Sequence, residues 1–178
     1  MAGGACTPSG PSSRRSRDDV EQIVLGHLAD AGVEHERGGR PGEVVAVLPG
    51  EHKLRTTVSL LVGDHSLSAS AFVIRHPDEN AEEFGRWLLR RNARLTGIAF
   101  ATDDADDVYL VGRLPLAAVD GDTLDALLGA LLDAADSSFD PLLTIGFLSS
   151  MKREWAWRVA RGESTRNLEA FRHLLVED

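Results

Sequence analysis

The densest concentration of chemistry-bearing side chains is "ATDDADDVYLVG", Ala101 to Gly112, where Asp103, Asp104, Asp106 and Asp107 fill four of five positions. Clustered carboxylates raise the question of a cation loop, and the EF-hand is the pattern to test. It needs oxygen ligands at loop positions one, three and five, glycine at six and glutamate at twelve. Counted from Asp103, position three is Ala105; counted from Asp104, position five is Val108 and position six Tyr109. Neither register supplies the ligands. The apolar runs "GIAFAT" and "DVYLVGRLP" on either side point instead to a hairpin tip, where short polar residues tolerate turn geometry and charge discourages edge-to-edge association. No metal ligand is assigned.

The remaining constellations are equally spare. The histidines, His27, His35, His52, His65, His76 and His173, show no H-E-x-x-H spacing and fall mostly at expected turns or helix surfaces. The chain has no G-x-S-x-G elbow, no G-x-x-x-x-G-K-[ST] phosphate loop and no G-x-G-x-x-G after a strand. Hence no catalytic residue and no cofactor is assigned. Arg86, Arg90 and Arg94 recur at four-residue steps, flanked by Arg91. That stripe reads either as an anion or acidic-peptide groove or as a solvated face, with Glu82 placed four residues before Arg86 in the favourable order. In "MKREWAWRVARG", Trp155 continues the spacing of Leu148 and Met151, while Trp157 points elsewhere because residues two apart lie on different sides of a helix. Tryptophan and arginine are enriched at interface hot spots. The competing reading is packing of the terminal helix against Trp157. Trp155, Trp157, Arg86, Arg90 and Arg94 are the candidate partner-binding residues.

The elements that would position these groups follow from periodicity. Order is expected from Ser16, where "SRDD" has capping-box spacing; Val20, Ile23, Val24, Leu28 and Ala31 then form one apolar stripe ended by Gly32. From Val33 to Arg75 the period shortens to that of an antiparallel meander, broken at Pro49-Gly50 and Gly63-Asp64. In its middle strand Leu54, Thr56, Val58, Leu60 and Val62 share one face, and Arg55, Thr57 and Ser59 the other. Helical spacing returns through Phe84, Trp87, Leu88 and Leu95. The acidic hairpin follows, and then a leucine-rich helix from Leu124 to Ala135 with Asp122 placed as its cap. Asp140-Pro141 implies a kink or a fresh helix over 141–161, and Gly162 precedes a short terminal helix through Thr165, Leu168, Phe171 and Leu175.

Composition limits the function. A net charge of -9 disfavours general nucleic-acid binding, which relies on cationic contacts to phosphate. No stretch reaches the about 18 apolar residues of a membrane helix, and "MAGGACTPSGPSSRRSR" lacks the apolar core of a secretory signal. The single cysteine, Cys6, excludes a disulfide framework and a Cys-rich metal site, and the cytoplasm is the expected compartment. Arginine outnumbers lysine seventeen to two, as a GC-rich bacterial genome would produce.

The segment Trp87 to Phe147, with "LLRRN" ending a helix, an acidic hairpin, "VYLVGRLPL" and a leucine-rich helix leading to Ser138-Phe139, resembles the YbjN family, particularly its actinobacterial members. The resemblance covers Asp18 to about Ser150. It implies a fold similar to the chaperones of bacterial type III secretion: α+β, an antiparallel sheet of five or six strands, helices on one face, and further C-terminal helices. Three parts are expected: a disordered tail (1–16), the α+β domain (17–150) and a helical extension (151–178). Secretion chaperones act as dimers that hold a client protein, and other family members are labelled sensory or stress regulators. The expectation is therefore a non-enzymatic, homodimeric protein-binding module, chaperone-like or regulatory, engaging its partner through a sheet edge or an apolar helical surface. The alternatives are a sensor or enzyme for an anionic, phosphorylated metabolite held by the arginine stripe and a histidine, and a purely structural subunit.

Overall fold

The computed structural model describes residues 15–175. Of the expected tail, only Arg15 and Ser16 fall within them. Ser16 caps the first helix, α1 (Arg17–Asp30): Asp19 N–H donates to Ser16 Oγ and Ser16 N–H donates to the Asp19 carboxylate, both at 3.1 Å. This capping box gives the helix ends the partners they would otherwise lack. Val20, Val24 and Leu28 are buried, and Gly32, at φ 65°, takes the left-handed turn that a side chain would resist.

Four strands follow, β1 (Glu34–Arg37), β2 (Glu43–Pro49), β3 (Arg55–Val62) and β4 (Ser66–Ile74), then α2 (Ala81–Asn92), β5 (Ile98–Thr102) and β6 (Val108–Pro115). They form one six-stranded antiparallel sheet in the order β1-β2-β3-β4-β6-β5. After β4 the chain crosses through α2, lays β5 at the edge and returns through the hairpin to seat β6 against β4. Alternation sends one side of every long strand inward: Val44, Ala46 and Leu48; Thr56, Val58, Leu60 and Val62; Leu67, Ala69, Ala71 and Val73; Val108 and Leu110. Leu54, expected on that face, is 76 % exposed, because β3 begins only at Arg55 and Leu54 belongs to the preceding turn.

A long helix, α3 (Gly121–Arg161), lies beside α1 against this inner face, with Leu124, Leu127, Leu131, Ala135 and Leu142 among its buried residues. At 41 residues it spans about 60 Å. Its cap is Asp120 rather than Asp122; Asp120 Oδ1 accepts from Thr123 N–H at 2.9 Å and Thr123 Oγ1 accepts from Asp120 N–H at 3.0 Å. Pro141 neither ends the helix nor starts a new one. Without an N–H it leaves the Ser137 carbonyl without its helical donor, at a cost of about 3 kcal/mol. Burial of Leu131, Ala134, Ala135, Ser138 and Leu142 on both sides of that position outweighs the loss. The helix also runs unbroken through residue 150, where the α+β domain was expected to give way to an extension.

Gly162, again left-handed at φ 67°, turns the chain back. In place of one short terminal helix there is a 3-10 segment (Arg166–Phe171) and a four-residue helix, α4 (Arg172–Leu175). Leu168, Phe171 and Leu175 bury against Met151, with Trp155, Leu143 and Leu148 packed around them.

Gly146 fixes how α2 meets α3. A Cβ there would stand 2.8 Å from Pro77 Cβ and 3.0 Å from the Phe84 ring, and its carbonyl accepts from Asp78 N–H and Glu79 N–H. Alanine would gain about 1 kcal/mol in helix propensity, but overpacking costs about 1–3 kcal/mol, and here the obstacles are a proline ring and a buried phenylalanine. Gly146→Ala is expected to lower stability by about 1–2 kcal/mol in urea unfolding. Unchanged or increased stability would show that the helices separate easily at this contact.

Candidate protein-binding surface

The outward residues of the strands build the surface. Register aligns Val45, Ser59, Ser70, Val111 and Ala99 in one line across five strands, while Phe72, Tyr109 and Ala101 form a neighbouring line and Leu61, Ser68 and Arg113 another. Phe72 is 41 % and Val111 38 % exposed; Val45, Val47, Leu61 and Tyr109 stay partly exposed. The Phe72 and Tyr109 rings meet edge-on at 5.5 Å. Serine and alanine between the larger apolar groups keep this side flat. It is a sheet face with an apolar centre and small polar residues, the composition of a surface that can pack on another sheet.

Glu43 marks one border of this face. Its carboxylate accepts from the Arg40 guanidinium at 2.7 Å, from Ser59 Oγ at 2.6 Å and from Arg40 N–H at 3.1 Å. The Arg40 and Ser59 hydrogen bonds hold it well below the usual carboxylate range, at about 2.

The sheet edges are less inviting. At β5, Asn92 fills the free edge: Phe100 N–H donates to Asn92 Oδ1 at 2.7 Å and Asn92 Nδ2 donates to Phe100 O at 3.2 Å. The side-chain amide takes the place of a pairing strand. At the other edge β1 is four residues long and reads Glu34, His35, Glu36, Arg37, a short charged strand of the kind that resists added strands. Partner engagement through a sheet edge, one of the two routes expected from the sequence, therefore has little free backbone to use.

The candidate residues from the sequence lie on the helical side. Arg86 pairs with Glu82 one turn earlier, and Arg90 is exposed in the last turn of α2. The helix ends at Asn92, so Arg94 sits in the turn beyond and only Arg86 and Arg90 share a helical stripe. Arg91 donates to Ser137 Oγ at 2.9 Å and ties α2 to α3. Trp155 is partly buried in the terminal cluster. Trp157 is 45 % exposed, with the Arg161 guanidinium 4.7 Å above its ring. The terminal segment thus packs beside Trp155 rather than Trp157.

In the acidic turn Asp103 holds the local backbone and Asp107 ties the turn to the loop after β4. Asp103 Oδ1 accepts from Ala105 N–H and Asp107 N–H at 2.9 and 3.0 Å, Asp106 adopts φ 60°, and Asp107 accepts from His76 N–H. Among the described residues no group of three or more His, Cys, Asp or Glu is arranged to hold a metal ion. Two histidines tie other elements to α3: His27 Nε2 of α1 meets Asp125 at 2.8 Å, and His52 Nδ1 of the loop before β3 meets Asp140 at 2.7 Å, a contact that holds the His52 imidazole above its ordinary range. Sequence reasoning missed Phe72, Tyr109 and Val111. The available signal was an aromatic or aliphatic residue at outward positions of strands that otherwise alternate toward serine.

An α+β chain with a six-stranded antiparallel sheet backed on one side by helices has the fold of the type III secretion chaperones. It is similar to a chain of the ExsC-ExsE complex at a TM-score of 0.52 and 22 % identity, covering 71 % of this chain and 95 % of that one. A chain from the complex of the Yersinia pestis type III secretion chaperone SycH with a fragment of YscM2 gives 0.47 and 21 %, covering 65 % and 96 %. The sequence places it more narrowly. Residues 21–144 match the YbjN family, described as "Putative bacterial sensory transduction regulator", and the chain belongs to that family. It is 52 % identical to Rv0487 of Mycobacterium tuberculosis over 142 residues, 79 % of this chain and 78 % of that protein, and 49 % identical to ML2442 of Mycobacterium leprae over 135 residues, 76 % and 73 %.

Because the Glu43 carboxyl lies below its unfolded value of 4.5, its contribution is present above that pH and is lost as pH falls through about 2. Wild type is expected to exceed Glu43→Gln in stability at pH 7, with the difference vanishing between pH 4.5 and 2 in parallel denaturation series. A difference independent of pH would remove the charge from the explanation.

Proposed function

We propose that the chain is a cytoplasmic, non-enzymatic protein-binding module that pairs with a second copy of itself and holds a partner protein, as a chaperone or a regulator. The uncovered apolar face of the sheet carries this reading. Among the described residues helices cover the six strands on one side only, and Val45, Leu61, Phe72, Tyr109 and Val111 remain for an intermolecular contact. Aligned sheets pack about 10 Å apart when their facing side chains are small enough to interdigitate, and Ser68, Ser70, Ala99 and Ala101 meet that condition. Likeness in fold to a chain of the ExsC-ExsE complex supports the same reading.

The partner itself is assigned to the helical side. Trp157, exposed beside Arg161, offers an aromatic anchor of the hot-spot type, and Arg86, Arg90 and Arg94 would select an acidic segment; Trp155 supports them by holding the terminal segment in place. The arginines line neither the cleft beside Gly50 and His52 nor the apolar pocket beside Lys53, so the phosphorylated-metabolite alternative gains nothing from the cavities. No helix among the described residues is long and apolar enough to cross a membrane.

Sedimentation equilibrium of the wild type and Val111→Asp tests the dimer. The wild type is expected as a dimer and the variant as a folded monomer, since a carboxylate buried between sheets would lack a partner. A variant that stays dimeric removes the sheet face from the interface. For the partner, affinity capture from the native lysate with Trp157→Ala/Arg90→Glu as control is expected to lose one dominant protein. Identical capture by both would place the binding surface elsewhere.

A further inference from the structure

The bulge in β4 creates a site of a different kind. Phe72 pairs with Tyr109 and Ile74 with Val108, which leaves Val73 as the extra residue. Val73 and Ile74 are consequently both buried, although they are adjacent in a strand. The same irregularity turns the carbonyls of Phe72 and Val73 toward Lys53. The Lys53 ammonium donates to both, at 3.0 Å to Val73 O, and stands 5.3 Å from the centre of the Phe72 ring. Among the described residues no carboxylate pairs with it. Burial pushes the amine down to about 8, the mark of a charge held without a counterion.

Beside this ammonium lies a cavity of about 470 Å³, walled by Phe72, Ile74, Phe139, Leu143, Phe147 and Met151. Its volume falls within the range of about 300–1,000 Å³ typical of small-ligand pockets. The other charges on its rim already have partners. Arg75 lies 4.4 Å over the Phe147 ring and is held by both oxygens of Asp78, and Glu154 pairs with Arg158 at 2.6 Å. The wall is therefore aromatic and aliphatic, with one cation that lacks an anion.

A ligand that answers both features needs an acyl or alkyl body for the walls and one negative oxygen group for the third ammonium N–H. Phosphate-bearing metabolites fit poorly, since a doubly charged head would meet a single uncompensated cation with Glu154 nearby. We propose that this cavity binds an amphipathic monocarboxylate of the medium-chain fatty-acid class, its carboxylate on Lys53 and its chain between β4 and α3. The site shares Phe72 with the sheet face and does not include Trp157. It would give a protein-binding module a small-molecule input.

Calorimetric titration of the full chain with decanoate, decanol and butyrate tests it. Decanoate is expected to bind saturably at one per chain, and decanol and butyrate at least ~10-fold more weakly, because a hydrogen bond to a charged group and the apolar body each contribute a factor of this order. Lys53→Gln should lose ~10-fold in decanoate affinity and keep its weak decanol binding. Equal binding of decanoate and decanol, no saturable decanoate binding, or unchanged affinity in Lys53→Gln would overturn the proposal. Should that variant not fold, NMR of the wild type decides: the Lys53 ε-carbon and Met151 methyl signals are expected to move with decanoate at one common saturation. If other signals move while these two stay, the site is not here.

Discussion

Leu60, Leu67 and Leu110, on the inner face of β3, β4 and β6, are fully withdrawn from solvent because α1 and α3 lie across that side of the sheet. Everything else follows from this one-sided cover. A six-stranded sheet presents two faces, and the helices among the described residues cover one. Residues that alternate with the core are left to meet solvent or another molecule. Charge is kept to the ends of this face, at Glu43, Arg55 and Arg113, while Val45, Leu61, Phe72, Tyr109 and Val111 lie among serines and alanines. The edges, by contrast, are closed by Asn92 at β5 and by charge at β1. Face and edge are thus treated differently, and that difference is what favours packing of whole sheets over strand addition.

The long helix organises the rest. Along α3, Asp136 Oδ1 accepts from His52 N–H and Lys53 N–H, Gly146 O receives the turn before α2, and Ser149 donates to Glu79 through both its backbone and its hydroxyl. Two loops at one end of the sheet, the one before β3 and the one after β4, are anchored to one rod. Breaking that rod at Pro141 would uncouple them, which is a physical reason for tolerating proline in its interior. Anchoring of the Lys53 loop also explains why a lysine stands in an apolar wall: its backbone is fixed by Asp136, and its side chain has only the bulge carbonyls and the Phe72 ring within reach.

Elements with strong periodicity were legible in the sequence. Val20, Val24 and Leu28, the Thr56 to Val62 alternation, and Leu124 to Ala135 each read directly as helix, strand and helix, and the Ser16-Asp19 cap was visible in its spacing. The acidic segment was equally clear as a hairpin tip. What escaped depends on tertiary cost and local geometry. Continuity through Pro141 is decided by burial distant in sequence, the choice of Asp120 over Asp122 by half a turn of helix, and the exposure of Leu54 by where pairing with Pro49 at Arg55 begins. The β4 bulge has no sequence signal beyond a run of apolar residues. Candidate partner residues were named from residue type and spacing. The open sheet face could be seen only once register placed Ser59, Ser70 and Val111 side by side.

The central claim is that the outward face of the sheet is covered by a second copy of the chain. Methyl NMR with a soluble paramagnetic agent tests it without any substitution. The account predicts that the methyls of Val45, Val47, Leu61 and Val111 are shielded at high protein concentration and become accessible on dilution, while those of Leu54 and Leu89, exposed elsewhere on the molecule, are accessible throughout. Equal accessibility of both groups at every concentration would contradict it and leave the face open to solvent.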